Sequence, residues 1–210
     1  MIRILIVDDH AVVRLGLREI LTDEPNVEVS EAADPREALK LIREQTWNLV
    51  VLDIDLPGRG GLELLKDVKR ERHRLPVLIL SVYPEEQFAL RTLKAGASGF
   101  LSKDSAPEEL VNAVRKILKG GKYFSERVVD RLLLNPHANE PTAYPHDTLS
   151  DREFQILCLF GSGKTVKEIA KDLSLSPPTV STYRARILEK MEMRTTAELV
   201  RYAIQNRLAN

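Results

Sequence analysis

Residues 2–7 read IRILIV, a short apolar run rich in β-branched residues, and two carboxylates, Asp8 and Asp9, follow it directly. A run of this length and composition predicts a strand buried on both faces. Similar runs recur at Val27–Ser30, Leu49–Leu52 (LVVL), Val77–Leu80 (VLIL) and Ser98–Leu101 (SGFL). Stretches of helical periodicity separate them: His10–Thr22, Pro35–Gln45, Gly61–Glu71, Glu85–Ala95 and Pro107–Leu118. Asp34 before Pro35 is a helix start, and Ser105-x-x-Glu108 reads as a capping box. Five strands alternating with five helices predict an α/β fold, a doubly wound parallel sheet, over residues 1–121.

The alternation stops near Lys122. A short helix is expected at Ser125–Leu134. Pro136, Pro141 and Pro145 then lie among Asn, His and Ala, so Asn135–His146 reads as linker and 122–146 as the segment between two domains. His137 and His146 fall in it, where solvated side chains are expected. From residue 147 to 210 only helices can be read. Ser150-x-x-Glu153, Thr165-x-x-Glu168 and Thr195-x-x-Glu198 are capping boxes, and Ser176 precedes Pro177 at a first helical position. Four helices in so short a stretch predict a small all-α bundle.

Composition narrows the class. Hydrophobic residues make up 43% and charged residues 30% of 210, as in water-soluble globular proteins. No apolar run approaches the roughly 20 residues of a membrane span, and no signal-peptide pattern opens the chain. The single Cys158 excludes an internal disulfide framework, fits a reducing cytoplasm, and reads as a core thiol. Net charge is zero, and from Asp147 onward ten Lys/Arg stand against eight Asp/Glu. Bulk charge therefore neither establishes nor excludes nucleic-acid binding.

In an open parallel sheet, functional groups gather beyond the carboxyl ends of the strands. Asp8 and Asp9 follow the first strand, Asp53 the third, Ser81 the fourth and Lys103 the fifth. Any one Asp at a strand end is commonplace; the set at matched ends is not. Three adjacent carboxylates repel unless a cation joins them. Oxygen ligands with no His or Cys nearby suit a hard divalent ion, Mg2+ above all. A carboxylate can also accept a phosphoryl group, with Ser and Lys neutralising the charge on it.

VDDH at 7–10, VLDIDLPGRGGLELL at 51–65, LILS at 78–81 and AGASGFLSKD at 95–104 resemble the receiver domain of two-component response regulators. The resemblance covers residues 1 to about 120. It implies a flavodoxin-like strand order, Asp53 as phosphoacceptor, and Asp8 and Asp9 in a metal pocket completed by the backbone carbonyl of Asp55. It further implies Ser81 as switch hydroxyl, Phe100 as switch aromatic and Lys103 as phosphate partner. Asp55 is acidic where close relatives often carry a neutral residue, and reads either as a solvated carboxylate or as a modifier of metal affinity or acyl-phosphate lifetime.

The C-terminal part contains TVKEIAKDL at 165–173 and PPTVSTYRARILEKM at 177–191, a helix, a short turn and a second helix. Helical spacing collects Val180, Tyr183, Ile187, Leu188 and Met191 on one face. Pro178, Ser181, Thr182, Ala185, Arg186 and Glu189 fall opposite, with Arg184 nearer the core edge. A face of small hydroxyls, Ala and Arg can enter a major groove. The stretch from Leu149 to Met191 resembles the output domain of NarL/FixJ (LuxR-type) regulators.

That resemblance implies base contacts at Ser181, Thr182 and Ala185, and backbone contacts at Thr179, Arg184 and Arg186. It also implies a dimer contact on the last helix, with Leu199, Val200 and Ala203 as candidates; their plain reading is core. Pro178 stands where the family commonly has Lys. Gly161-Ser162-Gly163-Lys164-Thr165 looks like the end of a phosphate-binding loop, but Cys158 stands where that motif needs Gly, and a helix precedes it.

The expected function is a two-component transcriptional regulator in the cytoplasm. A sensor histidine kinase phosphorylates Asp53, which promotes homodimerisation and binding to double-stranded promoter DNA. Its chemistry is expected to end at phosphoacceptance and slow autophosphatase activity, without further enzymatic function. The alternatives are a receiver acting only through protein–protein contacts, or a catalytic output. Against the last, the C-terminal part shows no convergent acid–base pair or metal-ligand set.

Overall fold

The computed structural model describes the chain except for residues 57–59, 84, 127, 131–143, 207, 209 and 210. It divides into two units, Met1–Arg131 and Leu132–Asn210. The first holds β1 (Ile2–Val7), α1 (Ala11–Thr22), β2 (Val27–Ala32), α2 (Pro35–Glu44), β3 (Leu49–Asp53) and α3 (Gly61–Glu71). It continues with β4 (Val77–Ser81), α4 (Glu85–Lys94), β5 (Gly99–Ser102) and α5 (Pro107–Leu118).

All five strands run parallel in the order β2-β1-β3-β4-β5, the flavodoxin-like arrangement. Every residue of β3 and β4 is buried, as central strands covered on both faces require. Side chains alternate along each strand. Ile4, Ile6, Leu49, Val51, Leu78, Leu80 and Leu101 pack with Leu110, Ala113, Val114 and Ile117 of α5.

Local chemistry sets several boundaries. Asp34 accepts from the N–H groups of Arg36 and Glu37 and caps α2, whose first residue is Pro35. The capping box expected at Ser105 and Glu108 does not form. Pro107 occupies the first turn of α5, so the cap position passes to Ala106, which has no side-chain acceptor. After β3 the chain folds back closely, with Gly61 N donating to Ile54 O at 2.9 Å. A Cβ at Gly61 would stand 2.0 Å from the carbonyl oxygen of Asp53, so only glycine permits this closure.

Of the expected helix at Ser125–Leu134, residues 126 and 128–130 are helical. Ser125 precedes the helix, its carbonyl accepting from Val128 N at 3.1 Å. Residues 127 and 131–134, and the linker up to residue 143 with His137, lie outside the described residues. The second unit contains a 3-10 turn at Pro145–Thr148, then α6 (Asp151–Gly161), α7 (Val166–Asp172), α8 (Pro177–Lys190) and α9 (Thr196–Gln205). The three expected capping boxes close at Ser150, Thr165 and Thr195, and Ser176 accepts from Thr179 N. Cys158 is buried in α6.

The solvated state expected for His146 is not found. Its side chain is buried, with Nδ1 2.7 Å from the Tyr202 hydroxyl and its ring beside those of Tyr144 and Phe154. Pro145 starts a helical turn that carries the imidazole inward, so the residue belongs to the bundle core. The Gly161–Thr165 stretch is a turn between helices: Gly163 has φ +80°, Lys164 pairs with Asp172 at 2.6 Å, and Thr165 caps α7.

Candidate functional site

The acidic residues converge at the carboxyl edge of the sheet. Asp8 leaves β1 buried, with its Oδ1 accepting from His10 N at 2.8 Å. Arg14 fixes that loop by donating to Asp8 O at 2.6 Å while pairing with Glu31 at 3.0 Å. Asp53 ends β3 at 1% exposure, and its Oδ1 accepts from Asp55 N at 3.0 Å. Asp55 thus meets Asp53 through its backbone N–H.

Lys103, one residue beyond β5, closes the site. Its Nζ donates to Asp53 Oδ2 at 2.7 Å and lies 2.7 Å from Asp8 Oδ2. Asp8 Oδ2 receives no well-directed hydrogen bond among the described residues, so the Lys103 charge is its compensation. Burial pushes the Asp53 carboxyl above its ordinary value; Lys103 works against this and Asp8 adds to it. Burial alone would depress the Lys103 ammonium, but Asp53 and Asp8 outweigh it and hold it above the usual lysine value. The Lys103 ammonium thus partly offsets the burial of the acceptor carboxyl.

Ser81 ends β4, fully buried, and its Oγ accepts from Tyr83 N at 2.9 Å. Phe100 lies in the middle of β5, buried, in register with Ile79 of β4. Asp9 is exposed and belongs to the same cluster. One residue was missed in the sequence. The expectation that no His stands near the carboxylates is corrected by His10, whose Nδ1 lies 3.0 Å from Asp9 Oδ1 and 3.3 Å from Asp8 Oδ1. Asp8, Asp9, His10 and Asp53 each offer one ligand atom within 4.8 Å of the others. The signal was the VDDH run itself.

The second unit presents α8. Val180, Ile187 and Met191 are buried, while Pro178, Thr182, Ala185, Arg186 and Glu189 are exposed, dividing the helix as its periodicity predicts. Thr179, Ser181 and Arg184 are half-buried at the edge, and Arg184 Nε is buried without a hydrogen bond among the described residues. Pro178, Thr179, Thr182, Tyr183 and Arg186 line a shallow depression of about 300 Å3.

The dimer candidates on α9 need correction. Leu199 and Ala203 are fully buried, because the apolar stripe of α9 is spent on packing against α6. Val200 is half-buried and Ile204 is 59% exposed, so the free face of α9 runs through these two.

Residues 4–115 match the response regulator receiver domain family, and residues 147–203 match the bacterial regulatory proteins of the luxR family. The chain belongs to the response regulators. It joins a receiver to a LuxR-type DNA-binding output domain of the NarL/FixJ kind. It is 36% identical over 211 residues to the response regulator UvrY of Escherichia coli K12, covering 100% of this chain and 97% of UvrY. It is 37% identical over 207 residues to the response regulator GacA of Pseudomonas aeruginosa PAO1, covering 98% and 97%. Among solved structures it resembles RcsB from Salmonella enterica serovar Typhimurium, bound to promoter rprA in the presence of the phosphomimetic BeF3-. That likeness has a TM-score of 0.62 and 26% identity, over 96% of this chain and 98% of RcsB.

Proposed function

We propose that this response regulator is a phosphorylation-controlled transcription factor whose switch is Asp53. The observation that carries the reading is the Asp53–Lys103–Asp8 arrangement at the sheet edge, on the same chain as an exposed helix-turn-helix face. A sensor histidine kinase is the donor. An Asp53 oxygen attacks phosphorus, the P–N bond to the kinase imidazole breaks, and the imidazole leaves with its electron pair. Lys103 then pairs with a phosphoryl oxygen, and Ser81 gives up its turn contact to Tyr83 to reach another. Phe100 follows into the space Ser81 leaves.

The donor set fits a hard divalent cation, because Asp8, Asp9 and Asp53 bring three carboxylates against one ammonium. Mg2+ held there, with the Asp55 carbonyl completing the set, would neutralise charge on the transferring group. Phosphoacceptance and slow dephosphorylation are the chain's whole chemistry in this reading. The place of action is the cytoplasm; among the described residues no helix is long and apolar enough to cross a membrane.

Phosphorylation favours a homodimer, which reads two half-sites on promoter DNA. Dimerisation matters here because the output domain is only weakly basic and gains affinity from avidity. Thr182, Ala185 and Ser181 face bases, while Thr179, Arg184 and Arg186 face the DNA backbone. The RcsB complexes with promoters support DNA over a purely protein-binding output.

The test is a gel shift of genomic fragments, with and without a small phosphodonor, on wild type and Asp53→Ala. Salt-sensitive binding that the phosphodonor strengthens only in wild type is expected. No salt-sensitive binding in either state overturns the reading, and equal response in Asp53→Ala removes the switch.

A further inference from the structure

We propose that His10 is a nitrogen ligand of the acidic pocket, which makes that pocket more selective for a transition ion such as Mn2+ over Mg2+. The inference rests on the reading of Asp8, Asp9 and Asp53 as a cation pocket and adds to it a residue of different chemistry.

The argument begins with spacing. Two neighbouring ligands on an octahedral ion at about 2.1 Å stand about 3 Å apart. His10 Nδ1 lies 3.0 Å from Asp9 Oδ1 and 3.3 Å from Asp8 Oδ1, the separation of adjacent ligands on one ion. Asp8 divides its oxygens: Oδ2 faces Lys103, while Oδ1 faces His10, whose backbone N–H also holds it. The imidazole therefore meets the carboxylates on the side that Lys103 does not occupy.

The loop geometry makes this a property of the fold. His10 is the cap residue of α1, in extended backbone, which directs its own N–H at Asp8 and keeps its ring beside Asp9. Its side chain is 64% exposed, so packing does not explain the position.

Ligand chemistry then decides which ion benefits. Mg2+ is hard, favours oxygen and keeps its waters, so it gains little from an imidazole. First-row transition ions accept imidazole nitrogen more readily than Mg2+ does, Mn2+ least among them. Replacing His10 should therefore weaken one class of ion much more than the other.

The experiment uses the unphosphorylated full-length protein, titrated calorimetrically with Mg2+ alone and with Mn2+ alone, as wild type and as His10→Phe. Exposure of His10 makes the substitution compatible with folding, which circular dichroism checks. Loss of about tenfold or more in Mn2+ affinity, with about threefold or less for Mg2+, is expected. Pulsed electron paramagnetic resonance of bound Mn2+ should show a nitrogen coupling in wild type that His10→Phe lacks.

Equal weakening of both ions, an unchanged Mn2+ affinity, or a nitrogen coupling that survives the substitution each overturns the proposal. A wild type that binds neither ion overturns the cation pocket as well. A wild type that binds Mg2+ normally, with Mn2+ preference intact in His10→Phe, removes only His10.

Discussion

Lys103 donates from Nζ to Asp53 Oδ2 at 2.7 Å, joining the end of β5 to the end of β3 across 50 residues of sequence. The pair is shielded: the Lys103 side chain is 12% exposed and the Asp53 side chain has no exposure. Burial raises the Asp53 carboxyl and Lys103 opposes that rise. In Lys103→Met the carboxyl therefore rises further. A group raised on folding contributes stability below its unfolded value, about 3.9 for Asp, and loses it as pH climbs through the folded value. The deficit of Lys103→Met relative to wild type should thus be small near pH 4 and grow to about 3 kcal/mol at neutral pH, the scale for breaking a buried pair. Urea denaturation of the receiver at the two pH values checks this. Equal deficits would show that Lys103 acts through packing alone.

In the output domain the sign is opposite. Lys190 donates to Glu153 Oε2 at 2.6 Å, and the same oxygen accepts from Ser150 N at 2.8 Å, so one carboxylate both caps α6 and ties it to α8. Burial would raise the Glu153 carboxyl, but the bonds from Lys190 and Ser150 outweigh it and hold it below its ordinary value. A depressed group stabilises above its unfolded value, about 4.3 for Glu, and the gain vanishes as pH falls through the folded value. Glu153→Gln should cost about 1–2 kcal/mol at pH 7, and the gap should close in more acidic buffer. A gap that stays constant with pH would place the effect in the cap geometry.

The His146–Tyr202 bond fastens the segment entering the output domain to α9. The Tyr202 phenol is raised above its ordinary value, chiefly by burial. Tyr202→Phe keeps the ring and removes the partner of a buried imidazole nitrogen. It should lower output-domain stability by about 1 kcal/mol and leave the rate of phosphoryl loss from Asp53 unchanged. Thermal unfolding followed by near-ultraviolet circular dichroism reads the first quantity, and a phosphate-release assay the second. An unchanged unfolding temperature would show that His146 is satisfied without Tyr202.

How much of this was legible followed from the range of each interaction. The β-branched runs ending in Asp8, Asp53 and Ser81 predicted a parallel sheet because strand burial and strand-end chemistry are written locally. The boxes at Ser150, Thr165 and Thr195 were legible for the same reason. Ser105 failed by one position, because Pro107 fixes where α5 begins and leaves the cap to Ala106. The burial of His146 was not legible because its partner lies 56 residues away. Leu199 and Ala203 were correctly placed on one stripe of α9, but periodicity cannot say whether a stripe meets its own core or another copy. His10 was not legible as part of the cluster, because a residue after two carboxylates can turn either toward them or into solvent, and only the extended cap geometry at the start of α1 sets its ring beside Asp9.

Pro178 offers the most direct test of how α8 meets DNA. It is exposed at the second position of the helix, beside Thr182 and Arg186, where no intrahelical N–H bond is lost to proline. A lysine there adds one cation to the exposed rim without disturbing Val180 or Ile187 behind it. Each phosphate neutralised steepens the dependence of log affinity on log salt by about 0.9. Pro178→Lys should therefore steepen the slope by about one per monomer and tighten binding at low salt, with little change in sequence preference. Arg186→Ala should flatten it by a similar amount. Fluorescence anisotropy over a salt series measures both, and an unaltered slope in Pro178→Lys would mean that this end of α8 points away from the phosphates.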